Sequence, residues 1–232
     1  MINEVRNAVM FILNKDNNGY LSPAEFNSFA ALAQMEVFQE LFQDTNNAYT
    51  KRNNRTANSG VADIAKKDSQ DLDRFVVPGA SLVLDSGSTF TLPADMYVLV
   101  DVIYGGKSVE RVSPHKITLL NNSNLTAPST FYPAYVDAEA KIILYPTSIV
   151  SDVTATYVRL PVDPKWTYFT DPSTTSPLFD PSANDYQDFE LGKEHEIDLV
   201  LRILAKAGVT LRESSIIEVV NMEENKKDQA NR

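Results

Sequence analysis

The chain has no cysteine among its 232 residues. That excludes a disulfide framework, a thiolate metal site and a thiol nucleophile, and it suits a reducing compartment. Histidine is nearly as scarce. His115 and His195 are the only two, and they form no His-x-x-x-His ligand pair. Each reads as a surface residue, His195 within the polar helix start Lys193, Glu194, His195, Glu196. Glycine is sparse at 8 residues, and neither a phosphate-cradling glycine loop nor a Gly-x-Ser-x-Gly nucleophile elbow occurs. Positive charge is in deficit: Lys and Arg total 21 against 31 Asp and Glu, a formal net charge of −10. Such a chain is poorly suited to gripping phosphates. No apolar run approaches the roughly 20 residues that span a bilayer. Residues 1–13 contain Glu4 and Arg6 and no small-residue cleavage site, unlike a signal peptide.

What is present divides into helical ends and a β-rich middle. Val5, Val9, Ile12 and Leu13 share one face of a helix over residues 3–13. Ser22, Pro23 and Glu25 form a capping-box start for a second helix of about 20 residues running through Phe26, Ala30, Ala33, Val37 and Leu41. Residues 45–60 are polar and Asn-rich and read as a loop, and 61–75 as a helix. Val, Thr and Tyr then mark strands at 76–77, 82–84, 89–92, 97–104, 110–112, 142–145 and 154–160, with prolines between the runs. The runs in TFTLPADMYVLVDVIYGG (89–106) read as a strand pair around a turn, as do those in KIILYPTSIVSDVTATYVRL (141–160). Gly105 and Gly106 read as a turn. Residues 163–185 are Pro- and Ser-rich and read as an irregular connector. Ile197, Val200, Leu201 and Leu204 define a third amphipathic helix with Gly208 as its C-cap, and Thr210 to Glu213 is a capping box for a fourth.

The expected class is therefore α+β. N- and C-terminal helices pack together as one bundle, with a central, mostly antiparallel β-rich insert projecting from it. The expected boundaries are 1–75 for the N-terminal helical part, 76–165 for the β-rich domain, 166–187 for the extended connector and 188–232 for the C-terminal helices.

Several residue groups could carry chemistry. The stretch from Asn14 to Glu25 follows EF-hand spacing, with Asn14, Asp16, Asn18, Tyr20, Ser22 and Glu25 at ligand positions and Gly19 at the sharp turn. Asn14 replaces the usual first Asp, leaving only Asp16 and Glu25 charged. The same residues are explained by a helix end followed by a capped helix start. Lys51, Arg52 and Arg55 are a basic cluster in the polar stretch and read as solvated. Trp166, followed by Tyr168 and Phe169, is either a platform for a sugar or a pin holding the connector. No catalytic, cofactor or metal site is assigned; the calcium loop and the glycan platform are kept as alternatives.

The chain also resembles the ring, or head–tail connector, proteins of crAss-like and related tailed bacteriophages. The resemblance rests on FILNKDNNGYLSPAEFN (11–27), LDRFVVP (72–78), LPADMYVLVDVIY (92–104), NNSNLTAPSTFYPAYV (121–136), ATYVRLPVDPKW (155–166) and DFELGKEHEIDLVLRILAKAGVTLRESSIIEVVNMEENKKDQ (188–229), in that order over most of the chain. Gly192 departs from it, standing where Pro or another helix-starting residue is expected. The resemblance implies a non-enzymatic virion protein made in the host bacterial cytoplasm. It would be one subunit of a homo-oligomeric ring, twelvefold by the family, that joins portal to tail proteins. DNA would pass through without specific binding, and neither cofactor nor membrane is involved. An electronegative lumen that does not hold its cargo fits the charge. The β insert and the connector are candidates for reaching a neighbouring subunit, and the polar tail 223–232 for ordering on contact.

Overall fold

A computed structural model describes residues 1–15, 20–53, 70–170 and 176–211. Its helices are α1 (Ile2–Lys15), α2 (Pro23–Asn53), α3 (Pro114–Asn121) and α4 (Glu196–Leu211). Its strands are β1 (Val76–Ser81), β2 (Val83–Ser86), β3 (Thr89–Thr91), β4 (Met96–Tyr104), β5 (Lys107–Ser108), β6 (Glu110–Arg111), β7 (Ala134–Ala138), β8 (Lys141–Tyr145), β9 (Val153–Arg159), β10 (Tyr168–Thr170) and β11 (Pro177–Phe179). The fold is α+β and forms two compact units. Met1–Arg74 with Pro161–Arg232 is helical, and Phe75–Leu160 is the β-rich insert. Residues 161–165 thus belong with the helices.

In the helical unit, α4 packs against both α1 and α2. The stripe Ile2, Val5, Val9 and Leu13 is buried on α1, Phe26, Ala30, Ala33, Val37 and Phe38 on α2, and Leu199, Ile203, Leu204 and Ala207 on α4. These 3–4 residue spacings are what an apolar helix face requires. Arg202 bridges to Glu36 and Glu40 on α2, and Lys206 Nζ lies 2.7 Å from Glu36 Oε1. The Ile2 N–H donates to Asp188 Oδ1 at 2.7 Å, so a distant carboxylate caps α1.

Two expectations are corrected at helix ends. Helix α2 spans 31 residues and continues through the Asn-rich stretch to Asn53. The apolar stripe ends near Leu41, but adding residues to a formed helix costs little once nucleation is complete. Buried Thr45 keeps its hydroxyl satisfied by donating to the Leu41 carbonyl at 2.8 Å. Helix α4 likewise runs past Gly208 to Leu211, so Gly208 is not a C-cap. A helical Gly costs only about 1 kcal/mol relative to Ala. Residues 61–69 of the helix expected over 61–75, and the helix expected to open at Thr210 beyond Leu211, lie outside the described residues.

The returning segment is not irregular. Strands β10 and β11 pair antiparallel, Tyr168 opposite Phe179. Lys165 and Gln187 bridge backbone to backbone. Buried Gln34 on α2 fastens the segment at two points: its amide N–H donates to the Val162 carbonyl at 2.7 Å, and its Oε1 accepts from the Glu190 N–H at 3.0 Å. Both polar ends of a buried amide are thereby satisfied.

The insert holds two sheets, ordered β1-β9-β4-β5 and β2-β3-β8-β7-β6. All pairings within them are antiparallel except β6 with β7. Phe90, Tyr135, Ile142 and Leu144 from one sheet and Val102, Val153 and Ala155 from the other share one core. Both strand pairs expected from sequence are corrected. β3 and β4 lie in different sheets, and so do β8 and β9; β3 pairs with β8, and β4 with β9. Each connection crosses between sheets, and Ile149 in the second is buried in the shared core. Helix α3, unexpected from sequence, starts at Ser113, whose hydroxyl accepts from the Lys116 N–H. It packs Ile117 against Ala134 and Val136 of β7, on the face opposite Tyr135. The turn at Gly105 and Gly106 has φ of 54° and 75°, the left-handed pair that a two-residue hairpin needs.

Candidate functional site

The EF-like stretch is used as a helix start. The Ser22 N–H and hydroxyl donate to Glu25 Oε2 at 2.9 and 2.6 Å, and the Glu25 N–H donates back to Ser22 Oγ at 3.3 Å. This is the reciprocal capping box. Asn14 lies in the last turn of α1 and Tyr20 is exposed, while Asp16 and Asn18 lie outside the described residues. The Ser22 hydroxyl, then its backbone, hold the Glu25 carboxyl below its ordinary range. A carboxyl whose pKa falls on folding contributes stability above its unfolded value, near pH 4.3, and loses it as pH drops through the folded value. The protection factors of amides at the start of α2 are therefore expected to fall on acidification below about pH 4, and Glu25→Gln to remove that dependence while leaving the melting temperature as indifferent to calcium as in the wild type. A melting temperature that rises with calcium only in the wild type would instead support the EF-hand reading.

Trp166 is a pin. It is 1% exposed, so it offers no open face to a sugar. Its indole N–H donates to Asn3 Oδ1 at 3.1 Å, its backbone N–H donates to Asn27 Oδ1 at 2.8 Å, and its carbonyl accepts from the Asn27 amide at 3.2 Å. The Arg6 guanidinium sits 3.8 Å from the ring centroid, and Tyr168 and Phe179 stack on it at 5.6 and 5.9 Å. Burial lowers the Arg6 pKa, partly offset by Tyr20; an arginine so shifted still keeps its charge at neutral pH.

The side chains of Lys51 and Arg52, near the end of α2, and all of Arg55 lie outside the described residues. His115 is exposed at the start of α3. His195 corrects the expectation of a solvated residue. It lies in the 3-10 turn Lys193–His195, which leads into α4. Its side chain is 14% exposed and its Nε2 lies 3.8 Å from Oδ2 of Asp71, which is 12% exposed. That nitrogen is fully buried and has no hydrogen-bond partner among the described residues. Glu194 completes the group: ligand atoms of Asp71, Glu194 and His195 lie within 4.8 Å of one another. Arg74 approaches Glu194 Oε1 at 3.8 Å. A hydrogen bond from its own backbone holds the Glu194 carboxyl below its ordinary range, burial opposes this, and Asp71, Arg74 and His195 add to the lowering.

Gly192 is explained here. Its φ of −71° and ψ of 161° are open to any residue. A Cβ at that position would collide with the Glu194 carboxylate, which folds back over it. Sequence reasoning missed the cluster because Asp71 and Glu194 are remote in sequence. The glycine before an acidic residue and a histidine was the one local signal.

Among the described residues, no helix is long and apolar enough to cross a membrane. No family model matches the chain, and no curated protein matches it.

Proposed function

We propose that the chain is a structural subunit of an oligomeric ring at a phage head–tail junction, surrounding the DNA exit path between portal and tail. The observation that carries this reading is the ordered resemblance of six segments to such ring proteins across both helical ends and the insert. The net charge of −10 suits a conduit that must release DNA. The loop between α3 and β7 leaves Leu125, Phe131 and Tyr132 bare, at 94%, 72% and 82% exposed. Grouped exposed apolar side chains of this kind suit protein contact, and the contact assigned to them is a second copy of this chain. Strand β2 ends the five-stranded sheet with every residue exposed, an edge that no other described strand pairs and of the kind that pairs with another chain. Calcium binding has less support because Glu25 serves as a cap, and glycan binding because Trp166 is enclosed.

The test is mass in solution by light scattering, alone and with portal. The expected result is a closed multiple of 25.8 kDa in at least one condition. A chain that stays a monomer in both sinks the proposal.

A further inference from the structure

We propose that Asp71, Glu194 and His195 form a binding site for a divalent cation of the zinc class, independent of any ring assembly. The three side chains meet within 4.8 Å. One imidazole nitrogen and two carboxylate oxygens form a mixed donor set that suits zinc or a neighbouring first-row ion better than calcium, which takes oxygen alone.

The second observation is the state of the histidine. Nε2 of His195 is fully buried, yet among the described residues no group accepts or donates a hydrogen bond there. Its 3.8 Å separation from Asp71 Oδ2 is too long for a hydrogen bond. Two ligands of a tetrahedral ion, each about 2.0–2.2 Å from it, stand about 3.3–3.6 Å apart, so this pair would close by a few tenths of an ångström on binding. An unpaired buried nitrogen is costly unless something fills its lone pair. A metal ion does so, and it also balances the two carboxylates.

The third observation is the space given to Glu194. Gly192 has no conformational need to be glycine, and a side chain there would meet the Glu194 carboxylate in this rotamer and turn that flexible side chain away. The missing Cβ lets that carboxylate fold back toward Asp71. In sequence, Asp71 closely precedes the insert and Glu194 and His195 follow it, so one ion would clip together two chain segments that a whole domain separates. Closing so long a loop is where a cross-link contributes most to stability.

Arg74, 3.8 Å from Glu194, is the competing cation. Without metal, the same residues would form an ion-pair network of His195 with Asp71 and Arg74 with Glu194. The two readings differ in what Arg74→Gln does. It should strengthen metal binding by removing a competitor, but only weaken a metal-free network.

The experiment uses the untagged full chain, stripped with chelator and then dialysed against zinc, manganese or calcium chloride. Bound metal is measured by mass spectrometry and unfolding by circular dichroism. The expected result is one equivalent of zinc per chain and a melting temperature raised by about 5 °C at a hundredfold excess over Kd. Chelator should reverse it, and calcium should not reproduce it. His195→Gln should weaken zinc binding at least about 100-fold, and Arg74→Gln should tighten it. If His195→Gln does not fold, Glu194→Gln at the more exposed ligand serves, with binding weakened at least tenfold. Less than a tenth of an equivalent on the wild type overturns the site, as does zinc binding unchanged in these ligand variants.

Discussion

Trp166→Ala is expected to destabilise the helical unit by about 3–5 kcal/mol, the usual cost of truncating an enclosed large aromatic. Domains are stable by only about 5–15 kcal/mol in total, so this one change should bring the unit close to unfolding. The loss has several physical parts. The ring is buried against Arg6, Tyr168 and Phe179. Its removal leaves a cavity, strips the face beneath a buried guanidinium and leaves Asn3 Oδ1 without the indole donor. Trp166→Phe keeps most of the packing and loses the donor, so its cost should be about 1 kcal/mol from that hydrogen bond, plus a smaller packing loss. Urea unfolding followed by far-ultraviolet circular dichroism separates the two. A cost below about 1 kcal/mol for Trp166→Ala would mean that the residue is not the pin described here. A loss of glycan binding in this variant would report unfolding rather than a sugar site.

Under the ring reading proposed above, Phe131→Ser combined with Tyr132→Ser is expected to return the assembly to the 25.8 kDa protomer. Both rings are largely bare, and Lys107 Nζ sits 5.9 Å from each centroid without covering them. Substituting exposed side chains typically changes protomer stability by no more than about 0.5 kcal/mol. At an interface, by contrast, truncating two central aromatics removes about 2 kcal/mol or more each. The same contact repeats around a ring, so the loss is felt at every interface. Light scattering reads the mass and a thermal melt reads the protomer. An unchanged ring mass with an unchanged melt removes this loop from the interface.

Local features were legible in the sequence. The Ser22–Glu25 capping box needs only three residues of spacing, and it is formed as read. The α1 stripe of Val5, Val9 and Leu13 follows from helical period, although Ile12, expected beside them, is exposed. The α4 stripe does not: of the expected Ile197, Val200, Leu201 and Leu204 only Leu204 is buried, Ile197 is exposed, and Leu199, Ile203 and Ala207 complete the buried face, because the partners α1 and α2 select the face of an apolar helix. The turn at Gly105 and Gly106 follows from the cost of positive φ for other residues. The β7 strand was missed for a reason that is also physical. Ala134, Tyr135 and Val136 are all buried, because the shared core covers one face and α3 the other. A strand covered on both faces shows no alternation between polar and apolar residues. Helix α3 carried a readable start in Ser113 and Pro114, but its eight residues bury only Ile117 and so show no stripe.

The sequence by itself determined the capped start of α2, the apolar face of α1, the α+β class and the acidic net charge. Each follows from neighbouring residues or from simple sums. The tertiary structure decided partnership. Strand β3 pairs with β8 and not with the adjacent β4, because the two sheets close one core and adjacent strands cross it. It also decided that Trp166 is enclosed and that His195 faces Asp71. Residues remote along the chain meet only when burial of a common core offsets the entropy of closing the loop between them. No local pattern encodes that balance.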